Sequence, residues 1–446
     1  MKISKTKLIV AVAALLLAIV APIGYRRLSG SPQYPVVLIS LDTLRADRLG
    51  TYGYHRPTSP ALDEFAAESV VFENAIAAAP WTLPSHVSLF TGLYPTSHGV
   101  DLMHREGIPP DKPIMAEILK EAGYATQAFQ GGGPMAGRFG FARGFDDYRE
   151  IRPPDGKFKG SFAAVVGETE KFLKGFPAGK PYFLFLHTYD IHCPYKALDE
   201  YFSLFQSAGA EFIDPTKCGY SPLQITKGNM QYLSDHYDSN IRMVDDVFAA
   251  LLQFLKSRPD YSQLIIIVFS DHGEEFLEHG RIGHKKSLHR ELIRVPLLIK
   301  APGLKPQRIL NSVSLVDILP TLLDLLKLKA SSNRQGVSLL PLLNNTGKET
   351  RPFQFSELAL RKDLRSYYGA DHHLIIELQT PEAKLYSVPS DPIEAQNLAP
   401  SQPDKLQSLR RILANFMDTL TPGKAADVAP ASPKDLEQLK SLGYVK

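Results

Sequence analysis

Three short apolar segments, far apart in the chain, each end in carboxylate or imidazole side chains. They are PVVLISLD (residues 35–42), YFLFLHTYDIH (182–192) and LIIIVFSDHGE (264–274). A continuous run rich in Val, Ile and Leu that closes on a polar loop is typical of a strand buried on both faces of a parallel sheet. Each segment is therefore predicted to be a central strand with functional side chains at its carboxyl end.

Helical patterns separate these strands, for example over residues 58–69, 112–123 and 238–256. Strands that alternate with helices predict an α/β sandwich around a mostly parallel sheet. In such sheets, ligands bind beyond the carboxyl ends of the strands. We therefore expect one shared site that contains Asp42, His187, Asp190, His192, Asp271 and His272.

The N-terminus combines three lysines with an apolar run over residues 8–25, followed by Arg26 and Arg27. A helix needs roughly 20 apolar residues to cross a bilayer, so residues 1–28 are predicted to be an uncleaved membrane anchor. The alternative is a cleavable signal peptide, but Pro22 would follow the cut after Ala21. Lysines before the run place the body on the extracytoplasmic side, either periplasmic or at the cell surface.

The remaining chain divides by pattern into three parts. Residues 29–350 contain the strand-helix alternation and are predicted to be the catalytic α/β domain. Residues 351–422 contain short alternating runs and a helical pattern over 403–417, which predict a small C-terminal α+β subdomain. Residues 423–446 form a tail, in which a loose linker (425–433) precedes a short amphipathic piece.

Charge and cysteine content set further limits. The net charge is only +3, which does not resemble the concentrated basic face of a nucleic-acid-binding protein. Cys193 and Cys218 could form one disulfide in an oxidising compartment. Two unpaired thiols are an equal alternative, because the sequence gives no distance between them.

The segment from Ser270 to Glu274 pairs a carboxylate with an imidazole at a strand end, a combination that suits a divalent cation. The alternative is that Asp271 caps a following helix and that His272 is a hydrogen-bonded structural residue. Asp42, at an equivalent strand end, favours the metal site.

A further segment, WTLPSHVSLFTGLYPTSHG (81–99), places Thr82 just before a predicted helix start, with Pro84 near the first turn. A hydroxyl there lies near unpaired N–H groups and the positive end of a helix dipole, which favours an alkoxide or a bound oxyanion. The alternative is an ordinary N-cap threonine.

Together these motifs resemble the sulfatase family of the alkaline-phosphatase superfamily, across nearly the whole chain outside the anchor. The segment from Asp42 to Tyr54 is similar to the family's first metal-binding stretch, and 187–195 to its central histidine motif. The segments 270–274, 278–280 and 283–284 resemble its second metal-binding stretch and substrate loop. The late landmarks are 294–299 and 385–398. The resemblance implies an alkaline-phosphatase/sulfatase-like fold and a metal-dependent esterase.

Two departures change what the resemblance implies. Sulfatases carry a Cys or Ser that is oxidised to formylglycine, within a C/S-x-P-x-R pattern, whereas this chain has Thr82 and places His86 where the Arg would stand. Threonine cannot give that aldehyde, so the segment is closer to phosphodiesterases that use a threonine nucleophile. Thr43 stands where many sulfatases have a second metal-binding Asp. The implied metal ligands are Asp42, Thr82, Asp271 and His272.

Other cationic groups are expected to contact the non-bridging oxygens or to protonate the leaving group. The candidates are His192, His284 and Lys286. We expect one divalent ion per site, either Zn, Mn or Ca. The alternative is a second ion held by His187, Asp190, His192 and His284. Structural roles are expected for His86, His236, His289, His372 and His373, and an ion pair for Arg45.

Three functions are compatible with these residues. The first is attack by Thr82 on a phosphoester, with hydrolysis or transfer of the phospho group. The second is sulfate-ester hydrolysis without formylglycine, and the third is an inactive binding protein that kept the fold. The expected partners are a small-molecule, lipid or glycan ester and the membrane, with no nucleic acid.

Overall fold

The computed structural model describes residues 33–101, 106–151, 161–329, 333–347, 351–359 and 363–444. The predicted membrane anchor, residues 1–28, lies outside these ranges. Among the described residues, every helix is too short or too polar to cross a membrane. From Tyr34 onward the chain forms one compact unit.

The described strands are β1 Val36–Leu41, β2 Val70–Ile76, β3 Glu106–Gly107, β4 Ala125–Gln130, β5 Asp147–Glu150, β6 Tyr182–Thr188, β7 Ile265–Phe269, β8 Glu275–Phe276, β9 Ile282–Gly283, β10 Arg294–Val295, β11 Leu297–Lys300, β12 Gln307–Ser314, β13 Phe353–Leu358, β14 Leu364–Gly369, β15 His372–Glu377, β16 Ala383–Ser387 and β17 Ala426–Asp427. The described α-helices are α1 Pro60–Ala67, α2 Thr82–Thr91, α3 Pro95–His98, α4 Met115–Glu121, α5 Ser161–Gly175, α6 Asp199–Phe202, α7 Lys227–Lys256, α8 Arg290–Ile293, α9 Ile318–Leu325, α10 Leu340–Leu343, α11 Pro403–Met417 and α12 Pro433–Ser441. Short 3₁₀ helices occur at Ala46–Arg48, Gly50–Tyr52, Gly133–Met135, Gly137–Phe139, Pro222–Gln224, Tyr261–Gln263 and Leu315–Asp317.

The central sheet has the strand order β10-β2-β11-β7-β1-β6-β4-β5, and β12 also pairs with β2. Strand β1 lies between β6 and β7 and is parallel to both. Leu41 pairs with Thr188 and Ser40 pairs with Phe269, so the three strands end at the same edge. The predicted α/β architecture with a mostly parallel sheet is confirmed, with β10 and β11 as antiparallel exceptions.

Both faces of this sheet are covered. In β1, Val36 and Leu38 belong to one hydrophobic cluster, and Val37 and Ile39 belong to another. Helix α2 contributes to the first cluster and α7 to the second. Burial on both faces explains why the strand sequences are continuously apolar rather than alternating.

The C-terminal subdomain is an antiparallel sheet of four strands, β13 to β16, as the sequence predicted. Helix α11 covers it, and Leu409 and Leu413 belong to its small core. Strand β13 joins the subdomain to the rest of the chain: Ser356 Oγ donates to the Ala77 carbonyl (2.6 Å), and the Glu357 amide donates to that of Ala78 (2.9 Å). The two parts predicted on either side of the 350/351 boundary therefore pack against each other.

The C-terminal tail differs from expectation. The loose linker predicted for 425–433 contains β17, which pairs antiparallel with β3. The amphipathic piece is α12, where Leu439 is fully buried and belongs to the larger hydrophobic cluster. Local sequence could not reveal this docking, because the partners of the tail lie far upstream in the chain.

Cys193 and Cys218 form a disulfide, with a Cα–Cα distance of 5.8 Å. This decides the alternative that the sequence left open. The bond ties the end of the loop after β6 to the segment that precedes α7, close to the predicted site.

Candidate active site

The ends of β1 and β7 bring three predicted metal ligands together. Asp42 follows β1, and Asp271 and His272 follow β7. All three side chains are 0 % exposed. One ligand atom from each lies within 4.8 Å of the others, which is compatible with a shared ion. The convergence predicted from separate strand ends is therefore present.

Thr82 lies in the same cluster. Its Oγ1 is 3.3 Å from Oδ2 of Asp42 and 3.3 Å from Nε2 of His272. Helix α2 begins at Thr82 itself, and Trp81 holds the N-cap position. The ordinary N-cap alternative therefore does not describe this residue. Its hydroxyl points to the strand ends, where a ligand would bind.

Neighbouring residues fix the positions of these groups. Thr43 has a φ of +60°, which is uncommon for a β-branched residue. Its amide donates to Oδ1 of Asp271 (3.4 Å). Ser85 Oγ donates to the Asp271 carbonyl (2.7 Å), so the start of α2 holds the loop after β7. His86 bonds Ser40 and the Thr82 carbonyl, both at 2.9 Å, and its Nδ1 lies 3.4 Å from Oδ2 of Asp271.

The electrostatics of this cluster suit a cation. Burial raises the pKa of Asp42 well above its usual range, and the nearby Glu274 raises it further. Burial, then the charge of Asp42, raises the pKa of Asp271. Oδ1 of Asp42 has no hydrogen-bond partner within the described part of the chain. Buried carboxylates repel one another unless a cation neutralises them, so this donor set fits a divalent metal ion.

His192 and His284 form the opposite side of the site. Their rings lie 5.0 Å apart, and the His284 ring lies 4.6 Å from that of His272. Oε1 of the buried Glu274 is 2.9 Å from Nδ1 of His284. Burial and the neighbouring His284 lower the pKa of His192 to about 3, so its imidazole is neutral. These positions suit contacts to a bound oxyacid group.

The predicted Lys286 and its neighbour Lys285 differ in their surroundings. Lys286 is exposed, and its Nζ donates to the Ile282 carbonyl (3.1 Å). The adjacent Lys285 lies over the Trp81 ring, 5.4 Å from its centroid, and its charge lowers the pKa of Asp42. Lys285 has a φ of +70°, a left-handed conformation that is uncommon outside glycine. Periodicity along the segment could not reveal this conformation.

Asp190 is a predicted residue that the site does not include. Its carboxylate accepts from the Ser161 amide (3.2 Å), from Ser161 Oγ (2.9 Å) and from the Phe162 amide (2.9 Å). It therefore satisfies the first N–H groups of α5. His187 does reach the cluster, with Nε2 3.3 Å from Oδ2 of Asp42. The alternative second-ion site thus lacks its proposed carboxylate.

Another histidine and carboxylate group lies nearby, at His279, His289 and Glu291. The two rings stack with their centroids 3.6 Å apart and an angle of 2° between their planes, and His279 Nδ1 is 2.7 Å from the Glu291 carboxylate. Nitrogen lone pairs in parallel ring planes do not converge on one point. This geometry supports a structural ion pair for His279 and Glu291.

Three residues that lie beside the cluster were missed by sequence reasoning. Glu274 and Lys285 adjoin residues that the motifs had singled out, so their proximity was available as a signal. Tyr444 gave no such signal, although its hydroxyl oxygen lies 2.6 Å from Thr82 Oγ1. Its distance of 362 positions along the chain from Thr82 explains why no local motif connects them.

The fold and the cluster are those of an ester hydrolase of the alkaline-phosphatase-like superfamily. A model of the family described as "Sulfatase" matches residues 35–328, so the chain belongs to the sulfatase family. A second model, "N-sulphoglucosamine sulphohydrolase, C-terminal", matches residues 278–421. Enzymes of this family bind a divalent metal ion, and the chain is a sulfatase-like ester hydrolase. The inactive-protein alternative is thus disfavoured.

Individual relatives are distant. The Delta 4,5-hexuronate-2-O-sulfatase of Bacteroides thetaiotaomicron is 24% identical over 81% of this chain and 84% of its own length. The phosphonate monoester hydrolase of Agrobacterium radiobacter has a TM-score of 0.76 at 20% identity, over 87% of this chain and 96% of that one. The structure of a protein in complex with its substrate D-glucosamine-2-N,6-O-disulfate has a TM-score of 0.75 at 18% identity, over 87% of this chain and 98% of that one. The related proteins are mostly sulfatases, and phosphonate monoester hydrolases occur among the structural neighbours.

Proposed function

We propose that Thr82 is the nucleophile of a metal-dependent ester hydrolysis. The observation that carries this proposal is the position of its Oγ1, which lies 3.3 Å from both the Asp42 carboxylate and the His272 imidazole. A hydroxyl is a weak nucleophile near neutral pH unless a base or a metal activates it. A divalent cation held by Asp42, Thr82, Asp271 and His272 would lower the hydroxyl pKa and polarise the ester.

Our first candidate substrate is a phosphoester. The β-carbon of Thr82 carries a methyl group and cannot be oxidised to the formylglycine aldehyde. In the proposed reaction, Oγ1 forms a bond to phosphorus while the bond from phosphorus to the leaving oxygen breaks. The leaving alcohol takes the electron pair and a proton. Water or an acceptor alcohol then removes the phospho group from Thr82 and restores its hydroxyl.

A second candidate is a sulfate ester, which the names of the relatives favour. The same hydroxyl would attack sulfur, with cleavage of the sulfur–oxygen bond. This reading requires a sulfatase that works without formylglycine.

The surrounding residues supply positioning and proton transfer in either case. His192 and Lys285 lie where they can contact non-bridging oxygens. Burial lowers the pKa of His284 and raises that of Glu274. A protonated Glu274 that donates to Nδ1 of His284 would leave the ring proton on Nε2, from which it could pass to the leaving oxygen. Such charge neutralisation and positioning dominate phosphoryl transfer.

We further propose an extracytoplasmic location, with residues 1–28 as the anchor. The disulfide between Cys193 and Cys218 supports this location, because such bonds persist in oxidising compartments. A lipid or glycan ester is then the expected class of substrate.

Intact-mass measurement tests the nucleophile and separates the two substrates. The metal-loaded protein is mixed briefly with a p-nitrophenyl phosphodiester or with an aryl sulfate, quenched in acid, and mapped by peptide. The first reading requires a phospho adduct on the peptide that contains Thr82. Turnover of the aryl sulfate with no turnover of the phosphodiester would instead select the second. An adduct on any other residue would refute both.

A further inference from the structure

The C-terminal tail places an aromatic side chain directly on the proposed nucleophile. The Tyr444 hydroxyl oxygen lies 2.6 Å from Oγ1 of Thr82. The phenol ring stacks on His192, with centroids 5.5 Å apart and planes at 21°, and lies 5.9 Å from His284. Lys285 Nζ is 3.3 Å from the ring centroid, a cation–π contact. Tyr444 thus contacts the groups proposed to bind the oxyacid.

Specific contacts hold this part of the tail. Ser432 caps α12 by accepting from the Asp435 amide (3.2 Å). Oε1 of Gln438 accepts from the Gly133 amide (2.9 Å), and its Nε2 donates to the Gly131 carbonyl. Gly132 has a φ of +73°, and a side chain there would meet Gln438. The glycine loop after β4 is therefore shaped to receive this glutamine.

Apolar burial and a helix end complete the docking. Leu439 and Leu442 belong to the larger core of the catalytic unit. Gly443 has a φ of +71°, and the Tyr444 amide donates to the Leu439 carbonyl (2.8 Å). This left-handed turn directs the Tyr444 side chain back into the site.

The position of Tyr444 conflicts with substrate binding. A reacting atom must come within about 3–3.5 Å of the attacking oxygen. Apart from its own residue, Thr82 Oγ1 has hydrogen-bonding neighbours on Asp42, His272 and Tyr444 in the described chain. The first two are proposed metal ligands, so Tyr444 occupies the side that is left for the ester. In this conformation, Thr82 and His192 are almost completely buried.

We propose that the segment 432–444 is an intramolecular plug, and that Tyr444 must leave the site before the ester can bind. This inference rests on the proposed role of Thr82. A substrate that binds only the open conformation has an apparent affinity reduced by the fraction of molecules that are open. An ester must therefore bind tightly enough to displace Tyr444. While Tyr444 is in place, the Thr82 hydroxyl is shielded from other molecules.

Three variants of the metal-loaded full chain test the plug. Tyr444→Ala removes the occupant, Gln438→Ala loosens its anchor outside the site, and Leu436→Ala changes a half-exposed residue of the same helix as the control. Inorganic phosphate and inorganic sulfate are the probes, measured by calorimetry. We expect about tenfold tighter anion binding in Tyr444→Ala, a smaller gain in Gln438→Ala and no change in the control. Unchanged or weaker binding in Tyr444→Ala would overturn the plug.

Hydrogen exchange and kinetics give independent readouts. Phosphate should speed amide exchange in 433–444 of the wild type, whereas slower exchange there would contradict displacement. For any ester that is turned over, Tyr444→Ala and Tyr444→Phe should lower KM and leave kcat within about twofold. A fall of kcat by tenfold or more at constant KM would make the phenol a catalytic group and overturn the plug. Tighter anion binding without turnover of any ester would leave the plug standing and sink the proposed function.

Discussion

Glu274 holds His284 through one ring nitrogen: its Oε1 is 2.9 Å from Nδ1. The carboxylate is fully buried, and burial raises its pKa. A contact of this kind fixes the orientation and tautomer of the imidazole, so Nε2 is the nitrogen available for proton transfer to the substrate.

This relationship predicts a coupled loss of activity. Glu274→Gln should lower kcat about 10- to 100-fold, in the range typical for residues that orient a functional histidine. His284→Ala should lower kcat by about 100-fold or more. Because Glu274 acts through His284, the double variant should be little worse than His284→Ala alone. Steady-state kinetics on the four proteins checks this, and strictly multiplicative losses would contradict it.

Thr82 is predicted to be essential for turnover but not for the fold. Thr82→Ala should lower kcat by about 10⁴-fold or more, as for other nucleophile deletions, while the folded protein still binds a divalent cation. Thr91→Ala is the matched control, because Thr91 ends the same helix and its hydroxyl bonds backbone groups, donating to the Val87 carbonyl and accepting from the Leu93 amide. Activity assays and metal analysis of the purified proteins check both statements. Full activity of Thr82→Ala would remove the proposed mechanism.

Adjacent lysines provide a paired test. Lys285 lies over Tyr444 and Trp81, whereas Lys286 is exposed and bonds a backbone carbonyl. Lys285→Ala should lower kcat/KM about tenfold or more, because a cation that neutralises developing charge is lost. Lys286→Ala should stay within about twofold. Equal effects of the two substitutions on kcat/KM would show that the loop takes another arrangement when substrate binds.

The ends of the central strands could be predicted from the sequence, because a strand buried on both faces is continuously apolar until it reaches a polar loop. Asp42, Asp271 and His272 were therefore found together as predicted. The surroundings of Lys286 and Asp190 could not be predicted in this way. A left-handed residue at 285 precedes Lys286 and a helix start at Ser161 bonds Asp190, and neither follows from the local pattern.

The contact between Tyr444 and Thr82 is the feature of the site that the sequence was least able to predict. The apolar periodicity of 434–445 indicated an amphipathic piece, but the surface that it covers is built from residues more than a hundred positions upstream. The three consecutive glycines at 131–133 could be recognised as a turn after β4. Their sequence does not indicate that Gln438 binds there. Tertiary docking of this kind is set by shape, which a single sequence does not display.

Asp190 is predicted to stabilise the fold rather than to bind a second ion. Because its carboxylate accepts from Ser161 and Phe162 at the start of α5, Asp190→Ala should lower the free energy of unfolding by about 1–2 kcal/mol. The metal content should stay at one ion per chain. Urea unfolding and metal analysis measure the two effects. Loss of a second ion in Asp190→Ala would restore the two-metal alternative.

The paired carboxylates predict how metal removal and pH act on stability. In the metal-free protein, burial raises the pKa of Asp42 and Asp271 in the folded state, and their mutual repulsion adds to the effect on Asp271. The folded state then binds protons more tightly than the unfolded state, so the free energy of unfolding falls as pH rises above the ordinary carboxylate range, about 4.

Asp42→Asn removes one charge from this pair of carboxylates. With a chelator present, this variant should unfold at a higher temperature than the wild type at pH 8, and the difference should shrink toward pH 4. A divalent cation at about 100 times its Kd should stabilise the wild type by about 2.7 kcal/mol at pH 8 and the variant much less. Asp111→Asn, at an exposed carboxylate, is the control and should follow the wild type. Thermal unfolding at several pH values measures the stability of each protein. Identical pH profiles for wild type and Asp42→Asn would show that repulsion between the two buried carboxylates does not affect stability.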